Sequence, residues 1–351
     1  MPRFLIFIPA WMAEDTVAMA LASALEQDYS PDHFRVVCVV DGSADGTWTA
    51  ARSVLDFARG NIERVAPAPG DDLARYLSGF HPRHSEGHVL LVNPQRIGVV
   101  GNTWNVCHHF AGADEIVVQL DGDDQLADPY VLSSLADVYA GRSLGVRCAS
   151  CGLDHTMGGC EMFVAPESED VWMTYGSYAD DEASRKPDGS DPRGLSCLVP
   201  AEDHTRRSGW RSSHLRTWKA WLFCKIRRAD LLEPLGAWID AAPDLATMWP
   251  MIEMAGPVHA RYIHDILYLY NGTNPLSESR SKPLQARAVR DWLQAQPPYR
   301  PLRDRADSPR REDVRAAAFE RHFGEVDLGR PIGADNEGID RDLGAEAGGR
   351  A

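Results

Sequence analysis

The chain has 351 residues, 44% of them hydrophobic, enough apolar material for one large α/β domain or two smaller ones. A formal net charge of −15 argues against general polyanion binding, although a local basic patch escapes that average. Seven cysteines, an odd number, do not suggest a disulfide framework and favour a reducing compartment.

The elements follow in alternation. A strand is predicted over residues 4–8 and closed by Pro9 and Ala10. It is too short and too soon followed by Glu14 and Asp15 to be a signal peptide, and no run approaches the length of a membrane helix, so a soluble, cytoplasmic protein is expected. A helix over residues 14–27 ends at Ser30-Pro31-Asp32. The second strand, 34–40, runs into the turn-rich Asp41-Gly42-Ser43-Ala44-Asp45-Gly46-Thr47, and a helix is expected over 48–57. Residues 60–87, rich in Pro, Gly and His, read as loop. A third strand at 88–92 leads through residues 93–101 into another helix.

The fourth strand, 115–120, is an apolar, β-branched run that stops abruptly at Asp121-Gly122-Asp123-Asp124. Carboxylates closing a buried strand repel one another and resist desolvation unless a cation sits among them. Oxygen-only ligands suit Mg²⁺ or Mn²⁺. Strands alternating with helices imply a mostly parallel sheet with helices on both faces, and ligands of such sheets bind beyond the carboxyl ends of the strands. Asp41, the segment after Val92 and Asp121 all fall at that edge.

The order Ile8-Pro9-Ala10, Val40 to Thr47, Asn93 to Asn102 and Leu120 to Asp124 resembles the nucleotide-binding half of family-2 glycosyltransferases of the GT-A fold. Val171 to Gly176, Ser213-His214-Leu215-Arg216-Thr217-Trp218-Lys219, Pro250 to Gly256 and Leu267 to Asn271 with Asn274-Pro275 extend the likeness to about residue 302, including viral and bacterial members with such a Ser-His-Leu-Arg-Thr-Trp-Lys segment. The resemblance divides the chain into a nucleotide-sugar-binding half (1–130), a Cys-rich insertion (141–170), an acceptor-binding and catalytic half of the same domain (171–302), and a C-terminal helix with an acidic tail (303–351).

The resemblance implies a sugar-nucleotide donor, most often a UDP-sugar, and a divalent cation. Pro9, Ala10, Asp41, Arg96 and Asn102 would line the donor, with Asp41 accepting from the base or ribose. Asp121 would sit near ribose and metal, and Asp123 would ligate Mn²⁺ or Mg²⁺ directly. His214, Arg216 and Lys219 would lie near the diphosphate. An inverting transfer also needs a base for the acceptor hydroxyl, and Asp244 matches the family's position for it. Asp244 is equally a candidate helix N-cap. Glu253 is the rival base; at roughly 100° per residue it falls on the opposite helix face, unless Pro250 breaks the helix.

Two further features stand apart. Residues 205–228 contain no acidic residue, and among them Arg206, Arg207, Arg211, Arg216, Lys219, Lys225, Arg227 and Arg228 interleave with Trp210, Trp218 and Trp221. This segment reads as a loop over the diphosphate, as a surface for a polyanion such as DNA, or as an amphipathic helix with its tryptophans inward. Cys148, Cys151, His155 and Cys160 have a spacing compatible with a structural zinc site.

The expectation is an inverting, metal-dependent glycosyltransferase acting on a glycan, lipid-linked or small-molecule hydroxyl. The alternatives are a viral-type enzyme that glycosylates a hydroxymethylated pyrimidine in DNA, and a non-catalytic binder of sugar nucleotides or nucleic acid.

Overall fold

The computed structural model describes residues 1–57, 64–65, 87–141, 170–180, 206–210, 212–263, 265–277 and 281–308. The chain opens with β1 (Phe4–Ala10), α1 (Val17–Leu25), β2 (Phe34–Asp41), α2 (Thr47–Phe57), β3 (Arg64–Val65), β4 (Val89–Asn93) and α3 (Gly98–Asn105). Next come β5 (Ile116–Gln119), β6 (Gln125–Leu126) and α4 (Val131–Tyr139). The second half supplies β7 (Met173–Gly176), β8 (Ala179–Asp180), β9 (Ser213–Lys219), α5 (Ala220–Phe223), α6 (Pro243–His259), β10 (Ala260–Ile263), β11 (Tyr268–Tyr270) and α7 (Pro283–Ala295).

Eight strands form one sheet in the order β10-β7-β9-β5-β1-β2-β4-β3. All neighbours are parallel except β9, which runs antiparallel to both β5 and β7. The expected mostly parallel α/β sheet is therefore the one observed. Both of its faces are covered, which is why the strands read as continuous apolar runs. Phe4, Ile6, Ile8, Val36, Cys38 and Val40 pack on one face with Val17 and Leu21 of α1, Leu55 of α2 and Leu135 of α4. Leu5, Phe7, Val37 and Val39 are buried on the other face, where α3 lies against β1 and β2.

A small second sheet, β6-β11-β8, lies beside the acidic turn. It brings a segment of the second half to the first, with Tyr268 opposite Leu126. The larger sheet joins the halves too, because β9 fills the slot between β5 and β7. Residues 213–219 are thus an internal strand, not a loop or a helix. The run is polar yet buried, and its hydroxyls are satisfied inside: Thr217 meets Tyr139 at 2.8 Å and Thr174 at 2.6 Å. The Cys148, Cys151, His155 and Cys160 loop and the helix expected over 313–323 lie outside the described residues. Among the described residues, no helix is long and apolar enough to cross a membrane, and Cys38, Cys107 and Cys224 are free thiols.

Candidate active site

The site is built at the carboxyl ends of β1, β2, β4 and β5. The acidic turn after β5 is seated on the end of β1: the Gly122 amide donates to the Pro9 carbonyl at 3.1 Å. A Cβ at Gly122 would stand 2.8 Å from that carbonyl and 2.9 Å from the Ala10 Cβ. The glycine between the aspartates is therefore required by close approach to Pro9 and Ala10. Those two residues act as the turn's floor.

Each aspartate of the turn has a distinct environment. Asp121 accepts from Gln119 Nε2 at 3.1 Å and from Arg216 Nη2 at 3.1 Å. Asp123 accepts from Asn274 Nδ2 at 2.6 Å. Asp124, almost fully buried, has both oxygens engaged, one by the Tyr268 hydroxyl at 2.6 Å and one by the Asn271 amide at 2.7 Å. Burial first, and then the neighbouring aspartates, push the Asp124 carboxyl well above its ordinary value. Burial also raises Asp123, Asn274 opposes that rise, and the Asp121 charge adds to it. Tyr268, Asn271 and Asn274 join the site without any role expected of them, although the aromatic run followed by Asn274-Pro275 marks the segment.

Arg216 is the centre of the arrangement. It is only 1% exposed, yet its Nη2 reaches Asp121 and its Nη1 donates to Asp244 Oδ1. The same Nη2 lies 3.1 Å from His214 Nδ1. A guanidinium only donates, so His214 must accept there and carry its proton on Nε2. Burial, aided by the Arg216 charge, lowers the His214 pKa well below the usual imidazole range and keeps the ring neutral. The ring stacks on Tyr268 with centroids 4.3 Å apart. His214, expected beside the diphosphate, is a buried support of Arg216.

Lys219 is placed elsewhere altogether. β9 is antiparallel to β5, so Arg216 faces Gln119 while Lys219 faces Ile116, at the far end of β5 from the acidic turn. Lys219 pairs with Asp170 there. The strand geometry removes it from the donor site, where the sequence reading had put it.

Asp244 lies in the first turn of α6 and makes no capping bond; the N-cap is Ala242, held at φ 52° ahead of Pro243. A left-handed alanine before proline is a strained conformation of the kind that collects at functional sites. The Asp244 side chain is 35% exposed. Its Oδ2 has no partner among the described residues. The helix runs on through Pro250 and kinks only at Gly256. Glu253 is thereby turned into the interior, where it binds the Arg206 guanidinium at 2.7 Å through both oxygens and the Tyr299 amide at 2.9 Å. It is a structural counter-ion and not a base.

On the other side of the edge, Asp41 is buried and bonded within the protein. It accepts from Asn93 Nδ2 at 2.7 Å and from the Ile97 and Gly98 amides at 3.0 and 2.8 Å. Expected to accept from a base or ribose, it also anchors the N-terminus of α3, where a carboxylate complements the helix dipole. Only its Oδ2 retains spare accepting capacity. Asn93 passes the network to Asn102 Oδ1 at 2.8 Å, and the buried Asn102 Nδ2 has no partner among the described residues. Gly42, at φ 62°, packs against the Arg96 backbone so closely that a Cβ would stand 2.4 Å from its nitrogen. The Arg96 side chain crosses the Trp11 ring at 4.0 Å and pairs with Asp240 at 3.0 Å.

Much of the basic and aromatic run after residue 205 is turned inward or paired. Trp218 and Trp221 are buried in the core. Arg206 is paired with Glu253, Arg227 with Asp230 and Lys219 with Asp170, while Arg228 sits over the Trp238 ring. Among the described residues, no three His, Cys, Asp or Glu side chains close around a common point as a ready-made metal cage. Ligand oxygens would have to complete any coordination shell on the acidic turn.

Comparison with known proteins agrees with the motifs at the N-terminus. The family model described as glycosyl transferase family 2 matches residues 5–66, which span β1, α1, β2 and α2. No curated protein matches the chain. Among solved structures, S. aureus TarS 1–349 in complex with UDP-GlcNAc matches with 13% identity over 78% of this chain and 59% of its own, TM-score 0.46. The mannosyltransferase PcManGT from Pyrobaculum calidifontis, in complex with GDP-Man and Mn²⁺, matches with 18% identity over 83% and 61%, TM-score 0.38. Glucosyl-3-phosphoglycerate synthase from Mycobacterium tuberculosis, in complex with Mn²⁺, UDP and phosphoglyceric acid, matches with 13% identity over 84% and 80%, TM-score 0.44. The chain thus spans about three fifths of the first two proteins, and at this level of likeness none of the three bears on its substrates.

Proposed function

From a chain whose residues 5–66 match the glycosyl transferase family 2 model, we propose an inverting glycosyltransferase that moves a sugar from a nucleoside diphosphate, a UDP-sugar by family habit, to an acceptor hydroxyl. One observation carries the reading. The aspartate that closes β5 and the aspartate that opens α6 come from opposite halves of the chain, yet both are bound to the Arg216 guanidinium.

The residues present fit a hard divalent cation in chemistry. Four carboxylates, Asp121, Asp123, Asp124 and Asp244, gather here with the first and last paired to Arg216, and Asp123 and Asp124 are held above their ordinary pKa by burial first and then by repulsion from neighbouring aspartates. Asp121 and Asp123 would hold Mn²⁺ or Mg²⁺, since both Asp124 oxygens are engaged by Tyr268 and Asn271. Such an ion supplies neutralisation of the charge on the departing diphosphate. Asn274 and Gln119 fix the two carboxylates. Asp244 takes the acceptor's proton on Oδ2 as the acceptor oxygen bonds to the anomeric carbon and the carbon–oxygen bond to the diphosphate breaks. Arg96, held over the Trp11 ring, is assigned to the nucleotide's base or its diphosphate.

A glycan or small-molecule acceptor is favoured over DNA because two of the three tryptophans of the basic run, Trp218 and Trp221, are in the core. The Cys148, Cys151, His155 and Cys160 spacing supports a structural zinc; metal analysis of protein purified without chelator, finding none, removes it. The function itself is tested by offering labelled UDP-sugars with Mn²⁺ to simple sugars and, separately, to hydroxymethylpyrimidine DNA. Label is expected on a sugar, with Asp244→Asn reducing transfer by at least about a hundredfold. Near-normal turnover by that variant removes Asp244 from the base role, and label on DNA alone reverses the acceptor assignment.

A further inference from the structure

We infer that Arg216 is a positioning residue for the base rather than a ligand of the donor's diphosphate, an inference that rests on the reading of Asp244 above. Arg216 is almost fully buried, and its two terminal nitrogens are already committed to Asp244, Asp121 and His214. A side chain that greets an incoming phosphate must present free donors at the surface. Arg216 is 1% exposed, so the N–H groups beyond those three contacts, on Nε and Nη1, are buried with it, and Nε has no partner among the described residues.

The geometry matches a different task. Asp244 stands at the exposed start of α6 with no capping bond to fix its rotamer. Binding Oδ1 to a rigid guanidinium fixes the carboxylate plane and leaves Oδ2 as the oxygen open to an acceptor hydroxyl. Because the same guanidinium holds Asp121, the base is registered against the turn on which the leaving group departs. The guanidinium is held in turn by His214, which stacks on Tyr268, whose hydroxyl binds Asp124. A base held this way is oriented before the acceptor arrives, and misplacement by an ångström costs orders of magnitude in rate. Lysine, a point charge on a flexible stem, cannot reproduce a planar fork shared by two carboxylates.

The test uses Arg216→Lys and Arg216→Gln in the full chain. UDP binding is measured by calorimetry with and without Mn²⁺, and turnover as transfer to the acceptor found above or, failing one, as UDP-glucose hydrolysis. The expectation is a loss of about a hundredfold in kcat, with UDP affinity changed by no more than about threefold. The double variant Arg216→Lys with Asp244→Asn should be no slower than Asp244→Asn alone, since the two residues act as one unit. UDP affinity reduced tenfold or more, or additive losses in the double variant, would overturn the positioning role while leaving Asp244 as base. Normal turnover of Asp244→Asn overturns the base reading itself. Should Arg216→Gln fail to fold, shown by thermal melting, Arg216→Lys retains the charge and decides the matter.

Discussion

Gly122 and Glu253 make different demands on single side chains. At Gly122 the demand is for space. Replacing it with alanine drives a Cβ into the Pro9 carbonyl and Ala10, which should cost about 1–3 kcal/mol, as overpacking does. It should also lift the acidic turn, so transfer falls further than stability; kinetics beside thermal denaturation would separate the two losses. At Glu253 the demand is for charge balance. Glu253 and Arg206 are each about 98% buried or more. Glu253→Ala strands a guanidinium in the core and is expected to cost about 3–5 kcal/mol. The folded fraction should keep its kcat, measured well below the melting temperature, whereas Asp244→Asn should fold and lose transfer about a hundredfold.

Single elements show why some roles were legible and others were not. The acidic turn could be found from its sequence because an apolar run that ends in carboxylates is a strong local contrast. Asp123 and Asp124 have raised carboxyl pKa values, so the folded chain keeps protons there that an unfolded chain releases. Their contribution to stability therefore falls as pH rises from the ordinary carboxylate range through the raised values. A cation that binds the ionised turn competes with those protons. Mn²⁺ should accordingly raise the melting temperature more near pH 7.5 than near pH 5.5; an equal shift at both would separate its binding from these aspartates. Strand β9 was illegible for the opposite reason. Ser213, His214, Arg216 and Thr217 look like surface residues but are buried, where remote residues meet them: Tyr139 bonds Thr217, Asp121 bonds Arg216 and Tyr268 stacks on His214. Lys219 was misassigned for the same reason: neighbours in a motif need not share a face or an end once the motif is a strand.

At the scale of the molecule, the first half was readable in order because each strand and its following helix pack locally, and β1, α1, β2, α2 and β5 lie where the pattern predicts them. The second half was not, because its strands enter the sheet out of sequence order, β10-β7-β9, beside β5. Pairing of that kind depends on contacts between remote segments, which no local pattern records. The position of β9 also has a consequence for synthesis. When the ribosome has finished residue 141, β1, β2, β4 and β5 can assemble, but the outer side of β5 must wait for residues 213–219. Until they emerge, the nascent sheet carries an unpaired, strongly apolar border, Ile116-Val117-Val118, of the sort that recruits strands from neighbouring chains. A fragment comprising residues 1–141 should therefore self-associate at micromolar concentration, seen by light scattering, and a peptide spanning 212–220 supplied in excess should suppress it.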